Sequence, residues 1–327
     1  MKAPEIISIG ALNCDITAFV TKFPEAEQKI NAVGYVPPKA AGVALDCLTM
    51  IKNLGYSCGH IGKMGDDEYA NIIERELREE NIDCSYCKRI PGERSSLAWV
   101  LVNPDSGERC HIMLPMSEKG MLTTDEIDEM SEYICSAKAV HMEMLQMPME
   151  PMYRIAQICK EKGVVTSMDI DIAPRFLYEY KYSDPELLGK TLREVDIIKL
   201  CKDAVRDLTT ETDMEKAAVA ILNEYGMRVL IITIGEKGCV IAWKEDEQVK
   251  SATVPGFELP GVKDTTGAGD AFQGGFIYGY LKGLPMVKAA QLGNACGYLK
   301  SRNIGARNMP DKKTVENFLQ EYGWTGI

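Results

Sequence analysis

The stretch DTTGAGDAFQGGFIYGYL, Asp264 to Leu281, places glycines and aspartates where an apolar helix begins. A glycine inside a helix costs about 1 kcal/mol relative to alanine, so these glycines need an offsetting advantage. A helix N-terminus carries unpaired N–H groups and a partial positive charge, and glycine lets the backbone approach a ligand closely. Gly267, Ala268 and Gly269 therefore predict an anion site suited to phosphate.

Asp270 lies in the first turn of the same predicted helix, beside the anion site. A carboxylate there fits phosphoryl transfer, because it can orient an attacking hydroxyl and take its proton while backbone N–H groups hold the developing charge. The alternative is structural: a glycine-rich turn with a capping aspartate, then a helix packed closely through Gly274 and Gly275. The sequence contains neither a GxxxxGK[ST] loop nor a GxGxxG motif, so the usual nucleotide-binding loops are absent.

Apolar β-like runs alternate with amphipathic helical patterns along most of the chain. Strands are predicted at Ile6–Leu12, Val164–Asp169 and Val229–Ile234, and helices at Ala44–Leu54 and Asp213–Tyr225. This alternation predicts an α/β fold with a doubly wound, mainly parallel sheet.

Two regions break the alternation, Thr17–Val36 and Ser95–Leu114. Both have the pattern of β-ribbons without an intervening helix. We expect them to pair into a small sheet that projects from the main one as a lid. No linker or internal repeat divides residues 1–327, so a single domain is expected.

The net charge of −11 makes nucleic acid and anionic membranes poor partners. No stretch approaches 18 uncharged apolar residues, so no membrane span is expected. The eleven cysteines are scattered, which is typical of free thiols in a reducing, cytoplasmic compartment.

The DTTGAGD segment resembles the signature DTxGAGD of the ribokinase-like (PfkB) carbohydrate kinases. Other segments along the chain resemble this family too: IGALNCD from Ile9, IGKMGDDEYANIIERELREENID from Ile61, ITIGEKG from Ile232 and GNACGYLKSRNIGARNMP from Gly293. The resemblance covers nearly the whole chain. It implies a ribokinase-like doubly wound domain with a β-sheet lid.

The resemblance further implies transfer of the γ-phosphoryl group of ATP to a hydroxyl of a sugar or similar polyol, with Mg²⁺. Asp270 would be the base, with Gly267, Ala268 and Gly269 forming the anion hole. It also implies that substrate hydroxyls contact Asn13 and Asp15. The nucleotide would contact Thr233, Gly235, Gly238 and Asn294. A monovalent cation such as K⁺ would contact Asp264 and Thr266. Lid strands often pair between subunits in this family, and the exposed edges of the ribbons favour a homodimer.

The chain departs from the family pattern on the substrate side. The family's GGxxxN motif corresponds to the segment that contains Gly42 and Asp46, so this chain has an aspartate in place of the asparagine. A carboxylate only accepts hydrogen bonds, so a donor-rich substrate is favoured, for instance a polyol or an amine. Alternatively, Asp46 caps a helix. In DIDIAPR, Asp171 replaces a second asparagine and Ala173 replaces an arginine.

The chain also departs on the metal side, where the NxxE positions that organise the water shell of Mg²⁺ hold Cys201 and Ala204. Neither supplies a hard oxygen ligand, and Asp203 and Asp207 are the nearby candidates to compensate.

These features favour an ATP-dependent kinase of a non-phosphorylated sugar, polyol or nucleoside, because Asp15, Asp46 and Asp171 would repel a substrate phosphate. One alternative is a sugar-phosphate kinase, which would need a cation such as Lys29, Lys39 or Arg94 on the lid. Another is a catalytically weak sugar- or nucleotide-binding regulator.

Overall fold

The computed structural model describes residues 3–144, 147–257 and 260–327. The strands are β1 (Ile6–Ile9), β2 (Asn13–Phe19), β3 (Gly34–Ala41), β4 (Cys58–Met64), β5 (Asp83–Arg89), β6 (Ser96–Val102), β7 (Arg109–Leu114), β8 (Ala139–Glu143), β9 (Val165–Ile170), β10 (Ile197–Leu200), β11 (Val229–Thr233), β12 (Gly238–Glu245) and β13 (Gln248–Pro255). The helices are α1 (Val43–Leu54), α2 (Glu68–Glu79), α3 (Thr124–Glu129), α4 (Ser131–Ile134), α5 (Met149–Lys162), α6 (Pro174–Glu179), α7 (Pro185–Glu194), α8 (Lys202–Leu208), α9 (Met214–Tyr225), α10 (Ala268–Leu281), α11 (Met286–Ser301) and α12 (Lys312–Gln320). Short 3₁₀ turns lie at Glu118–Gly120 and Gly235–Lys237.

A nine-stranded sheet with the order β13-β12-β11-β10-β9-β8-β1-β4-β5 forms the centre of the molecule. All pairings from β11 to β5 are parallel, and β12 and β13 add an antiparallel edge. One apolar core lies under α5, α7 and α9, and others lie under α1, α2, α10 and α11. The predicted doubly wound, mainly parallel sheet is confirmed.

The small second sheet has the order β3-β2-β6-β7. Strands β2 and β6 pair in parallel, which joins two antiparallel ribbons side by side. β2 begins at Asn13 and β3 ends at Ala41, so the first ribbon reaches beyond the predicted bounds of 17 and 36. This extension brings Asn13 and Asp15 onto a lid strand, opposite Ala41 and Lys39.

Helix α10 packs between α1 and α11 through its small residues. A Cβ at Gly274 would lie 2.7 Å from the carbonyl oxygen of Cys47, and one at Gly275 would lie 2.7 Å from Sγ of Cys296. These contacts explain the second pair of glycines, because larger side chains would push the three helices apart. Close packing therefore explains the glycines at 274 and 275, but not Gly267 and Gly269 at the start of the helix.

Candidate active site

A cavity of about 1380 Å³ lies between the lid and the carboxyl ends of the central strands. Parallel α/β sheets commonly bind ligands at this edge. Most of the predicted site residues line it: Asn13, Asp15, Gly42, Asp46, Asp171, Thr266, Gly267, Gly269 and Asp270. Ala268 is the first residue of α10, between two lining residues.

Gly267 caps the N-terminus of α10 in a left-handed conformation with φ of +78°. A Cβ at this position would lie 2.3 Å from the carbonyl oxygen of Ala306. Glycine is therefore required both by the backbone angle and by the close approach of residue 306. The loop is held against that neighbour, and within it the N–H of Ala268 donates to the carbonyl oxygen of Thr265 at 3.2 Å.

If the protein catalyses the phosphoryl transfer expected from its sequence, substituting Gly267 with Ala should lower kcat/KM for ATP by about 10- to 100-fold, because strain of roughly 1–3 kcal/mol would distort the loop. Gly163→Ala provides the control: Gly163 also has a positive φ, of +70°, but a Cβ there meets nothing within 4 Å, and it ends the remote helix α5. Steady-state kinetics would compare the two variants. Equal kcat/KM in both would contradict a special role for the loop.

Asp270 lies half-buried in the first turn of α10. Burial raises the pKa of Asp270 to about 8, and the negative charges of Asp169 and Asp171 add to that effect while Lys199 opposes it. A carboxylate with a pKa near neutrality is suited to accept a proton from a hydroxyl group. The site therefore contains a carboxyl group of raised pKa beside the glycine-bounded loop at 267–269.

Lys199 and Asp169 form a buried ion pair at the floor of the site. They lie directly opposite each other on β10 and β9, with 2.7 Å between Nζ and Oδ1. Burial alone would lower the pKa of Lys199, but the charges of Asp169 and Asp270 outweigh it and raise that pKa. Nζ of Lys199 lies 3.3 Å from the position of a Cβ on Gly269, so a positive charge adjoins the anion loop.

The acceptor side of the cavity is rich in buried carboxyl and amide oxygens. Among the described residues, Oδ1 of Asn13, Asp46 and Asp171 are buried without a hydrogen bond. Burial raises the pKa of Asp15 to about 7, with a further contribution from Asp264, and burial with the charge of Asp169 raises the pKa of Asp171 to about 7. Asp46 does not cap α1, since Gly42 occupies the N-cap position. These oxygens can accept hydrogen bonds from hydroxyl or amine groups.

Several site residues were missed in the sequence. Arg109 on β7 lines the cavity and donates to Oγ1 of Thr265 at 2.5 Å. Glu143 at the end of β8 accepts from the backbone N–H of Ala11 at 2.7 Å and of Ala44 at 2.8 Å, which anchors the start of α1. The one local signal was polarity: Lys199 and Glu143 interrupt strands that are otherwise largely apolar.

The four predicted nucleotide residues gather near the turn between β11 and β12, outside the residues that line the cavity. Thr233 ends β11, and Gly235 and Gly238 adopt φ of +69° and +97° around the 3₁₀ turn. Asn294 donates from Nδ2 to the carbonyl oxygens of Val254 and Pro255 at 3.2 and 3.0 Å. Its amide thus joins α11 to the end of β13.

Asp264 and Thr266, the residues predicted to contact a cation, lie at the start of the loop that carries the DTTGAGD segment, residues 264–270, called the signature loop below. Both carboxylate oxygens of Asp264 already accept backbone N–H groups, from Thr266 at 2.9 Å and Gly305 at 2.8 Å. Nζ of Lys300 lies 3.5 Å from the carbonyl oxygen of Asp264. Oγ1 of Thr266 is buried without a partner among the described residues. A lysine ammonium thus already adjoins the two residues predicted to contact a monovalent cation.

The candidate magnesium residues lie elsewhere. Asp203 pairs with Arg206 at 3.4 Å and Asp207 pairs with Arg175 at 2.6 Å, and neither lines the cavity. Within the described ranges, no group of three or more His, Cys, Asp and Glu side chains could hold a metal ion. Mg²⁺ commonly binds through nucleotide phosphates and retained waters, a mode that needs few protein ligands.

No helix in the described part of the chain is both long and apolar enough to cross a bilayer.

Comparison with known proteins places these features in a family. The family model described as pfkB family carbohydrate kinase matches residues 3–313. The chain is 27% identical over 328 residues to Fructokinase-1 of Zea mays, with 96% of each chain covered. It is 28% identical over 319 residues to an ATP-dependent ribose-1-phosphate kinase of Halopiger xanaduensis, covering 97% of this chain and 98% of the relative.

A solved structure shares the fold. An E. coli protein assigned as a ribokinase II, in complex with ATP and Mg²⁺, superposes with a TM-score of 0.80 at 22% identity, covering 97% of this chain and 99% of that one. The carboxyl group of Asp270, the glycine-bounded loop and the small second sheet thus occur in a chain matched over nearly its full length by one family model. This chain belongs to the pfkB family of carbohydrate kinases, phosphotransferases with an alcohol group as acceptor.

Proposed function

We propose that this protein transfers the γ-phosphoryl group of ATP to a hydroxyl group of a non-phosphorylated sugar, polyol or nucleoside. The observation that carries the proposal is the position of Asp270, half-buried at the N-terminus of α10 in a cavity whose opposite side presents hydrogen-bond acceptors. The names of two relatives, a fructokinase and a ribose-1-phosphate kinase, support a sugar as acceptor.

In this mechanism, the hydroxyl oxygen of the acceptor attacks the γ-phosphorus, and Asp270 takes the proton of that hydroxyl. The N–H groups of Gly267, Ala268 and Gly269 hold the negative charge that develops on the transferring group. Arg109 adds a positive charge, since its guanidinium contacts Thr265 at the edge of the same loop. Closing the lid would exclude water and limit hydrolysis of ATP.

Mg²⁺ would enter with the phosphates of ATP and neutralise their charge. Asp171 is the candidate carboxylate to contact its water shell, because Oδ1 of Asp171 is buried at the cavity without a partner among the described residues. Cys201 and Ala204 leave no hard ligand at the positions where the family has one. The bound ATP and Mg²⁺ of the E. coli structure support this pair of cofactors.

A second candidate is a sugar-phosphate kinase, which the name of the Halopiger relative favours. None of Lys29, Lys39 and Arg94 lines the cavity, and Lys39 pairs with Glu76 at 3.2 Å. Arg109 does line it, but it contacts the signature loop. That position suits the transferring phosphoryl group better than a second phosphate on the acceptor.

An ADP-release assay with Mg·ATP across neutral sugars, polyols, aminosugars, nucleosides and sugar phosphates would test the proposal. We expect one neutral or amine-bearing acceptor to give the highest kcat/KM. Turnover confined to phosphorylated acceptors would favour the second candidate. ATP binding with no turnover on any acceptor would favour a regulator.

The pH dependence should report the raised pKa of Asp270. Because the base acts only when ionised, kcat/KM should rise with pH and level off above about 8. Asp171→Asn removes a negative charge that raises this pKa, so its profile should shift to lower pH. Profiles of kcat/KM for both proteins would check this, and coincident midpoints would argue against coupling between the two carboxyls.

We also propose that the protein is a homodimer through the lid. The face of the lid sheet turned away from the cavity exposes large apolar side chains: Tyr35, Trp99, Ile112 and Leu114. Trp99 and Ile112 lie directly opposite each other on β6 and β7. A self-complementary apolar face suits a symmetric pairing of two copies.

Trp99→Glu should convert the dimer into a monomer, because it places a charge in the centre of that apolar face. Light scattering after size-exclusion chromatography would give the mass. Tyr322→Glu, at an exposed aromatic residue outside the lid, should leave the mass unchanged. A wild-type mass near 36.2 kDa would refute the dimer.

We place the protein in the cytoplasm. All eleven cysteines are free, and several are buried, as in proteins that fold in a reducing compartment. Its acidic charge gives no support to nucleic acid or membrane partners.

A further inference from the structure

Lys300 is a lysine with no exposed surface, at the C-terminal end of α11. Its Nζ donates to the backbone carbonyl oxygens of Asn303 at 3.1 Å and Asp264 at 3.5 Å. No carboxylate oxygen of the described residues lies within 4.0 Å of Nζ in an ion pair. A buried ammonium is costly unless it is compensated, so its surroundings must favour a positive charge.

The surroundings of this ammonium are those of a small cation site. Backbone carbonyl oxygens are the groups that replace the hydration shell of an alkali cation in proteins. The C-terminal end of α11 adds the negative end of a helix dipole. Burial lowers the pKa of Lys300, while the negative charges of Asp264, Asp46 and Asp270 oppose that change.

The position joins the signature loop to the loop that follows α11. The N–H groups of Lys263 and Asp264 donate to the carbonyl oxygen of Ser301 at 2.8 and 3.1 Å. Asp264 in turn accepts from the N–H of Gly305 at 2.8 Å. Gly267 abuts Ala306 directly after this junction. A charge that fixes the junction therefore also fixes the anion loop in front of Asp270.

We infer that the ammonium group of Lys300 takes the place of a monovalent cation at this junction, so that the protein needs no added K⁺. Lys300 is then a positioning residue, which acts on the reaction through the loop at 264–267. In this interpretation the carboxylate of Asp264 holds the junction through the N–H groups of Thr266 and Gly305.

Thermal unfolding of the full chain, without ATP or acceptor, tests the inference. Melting temperatures are compared in KCl, NH₄Cl and tetramethylammonium chloride at equal ionic strength. Tetramethylammonium is too large for the site, whereas K⁺ and ammonium fit. For the wild type we expect the three melting temperatures to agree within about 1 °C.

Lys300→Ala removes the ammonium and leaves its space, so K⁺ and NH₄⁺ should raise its melting temperature by roughly 3 °C or more over tetramethylammonium. Lys300→Met removes the charge but fills the space, and it should show no such rise. Lys63→Ala is the control: Lys63 is also buried and also donates to a backbone carbonyl, that of Met121 at 2.7 Å, but it lies away from the loop and pairs with Glu126 at 2.7 Å. It should lose stability equally in all three salts.

Turnover gives a second readout. Lys300→Ala should regain activity with K⁺, whereas the wild type should be equally active in all three salts. The turnover readout rests on the proposed kinase activity, whereas the melting temperatures do not. Failure of the inference about Lys300 is therefore distinguishable from failure of the proposed function. The inference would be overturned if the wild type melted at a higher temperature in K⁺ than in tetramethylammonium. It would also be overturned if K⁺ did not stabilise the Lys300→Ala protein, or if that protein could not be recovered folded even in K⁺.

Discussion

Asp270→Asn is expected to lower kcat by about 10³-fold, within the range typical of a lost general base. The amide keeps the shape of the side chain but cannot accept the proton of the acceptor hydroxyl. The anion loop at 267–269 is untouched, so the dissociation constant for ATP should change little. Turnover by ADP release and ATP binding by calorimetry would separate the two effects.

The control for this change is Asp125→Asn, since Asp125 also lies in the first turn of a helix, α3, away from the cavity. Its kcat should equal that of the wild type. A regulator that only binds ATP and sugar has no use for a base, so unchanged function in Asp270→Asn would favour that alternative. Loss of ATP binding together with turnover would instead indicate that the substitution had damaged the loop.

Lys199→Met is expected to have the largest effect on stability, a loss of about 3–5 kcal/mol in the free energy of unfolding. The substitution leaves the buried carboxylate of Asp169 without its partner. It also removes a positive charge beside Asp270, which would raise the pKa of Asp270 further. Denaturant unfolding at pH 7 would measure the first effect.

Pairing the change with Asp169→Asn should restore much of the lost stability, because the uncompensated charge is then removed as well. Lys190→Met provides the control for loss of an ion pair in solvent: Lys190 pairs with Glu186 on the surface of α7, and its loss should cost less than about 1 kcal/mol. If Lys199→Met and Lys190→Met unfold alike, the buried pair does not hold the floor of the site.

The fold was predictable because its signals are local. Apolar runs such as Ile6–Ile9 and Val229–Thr233 are continuous, as buried parallel strands require. The loop at 264–270 was predictable for the same reason, since a helix N-terminus with glycines is a contiguous feature. The wider extent of β2 and β3 was missed because pairing across the bulge between Asp15 and Thr17 depends on the partner strand.

The remaining site residues were not predictable, because their roles come from elements distant in the chain. Lys199 meets Asp169 through the register of β10 with β9, 30 residues apart. Lys300 reaches Asp264 across 36 residues, from the end of a helix. In each case an isolated lysine in the sequence is compatible with an exposed position. Only the fold shows that these charges are buried beside the signature loop.

The most direct test of the central claim is the mass of an acceptor incubated with ATP and MgCl₂. We expect that a neutral sugar, polyol or nucleoside gains one phosphoryl group, that ADP forms in equal amount, and that neither occurs at a comparable rate with Asp270→Asn. Release of ADP with inorganic phosphate while every acceptor keeps its mass would contradict the assignment of Asp270 as the base of a carbohydrate kinase.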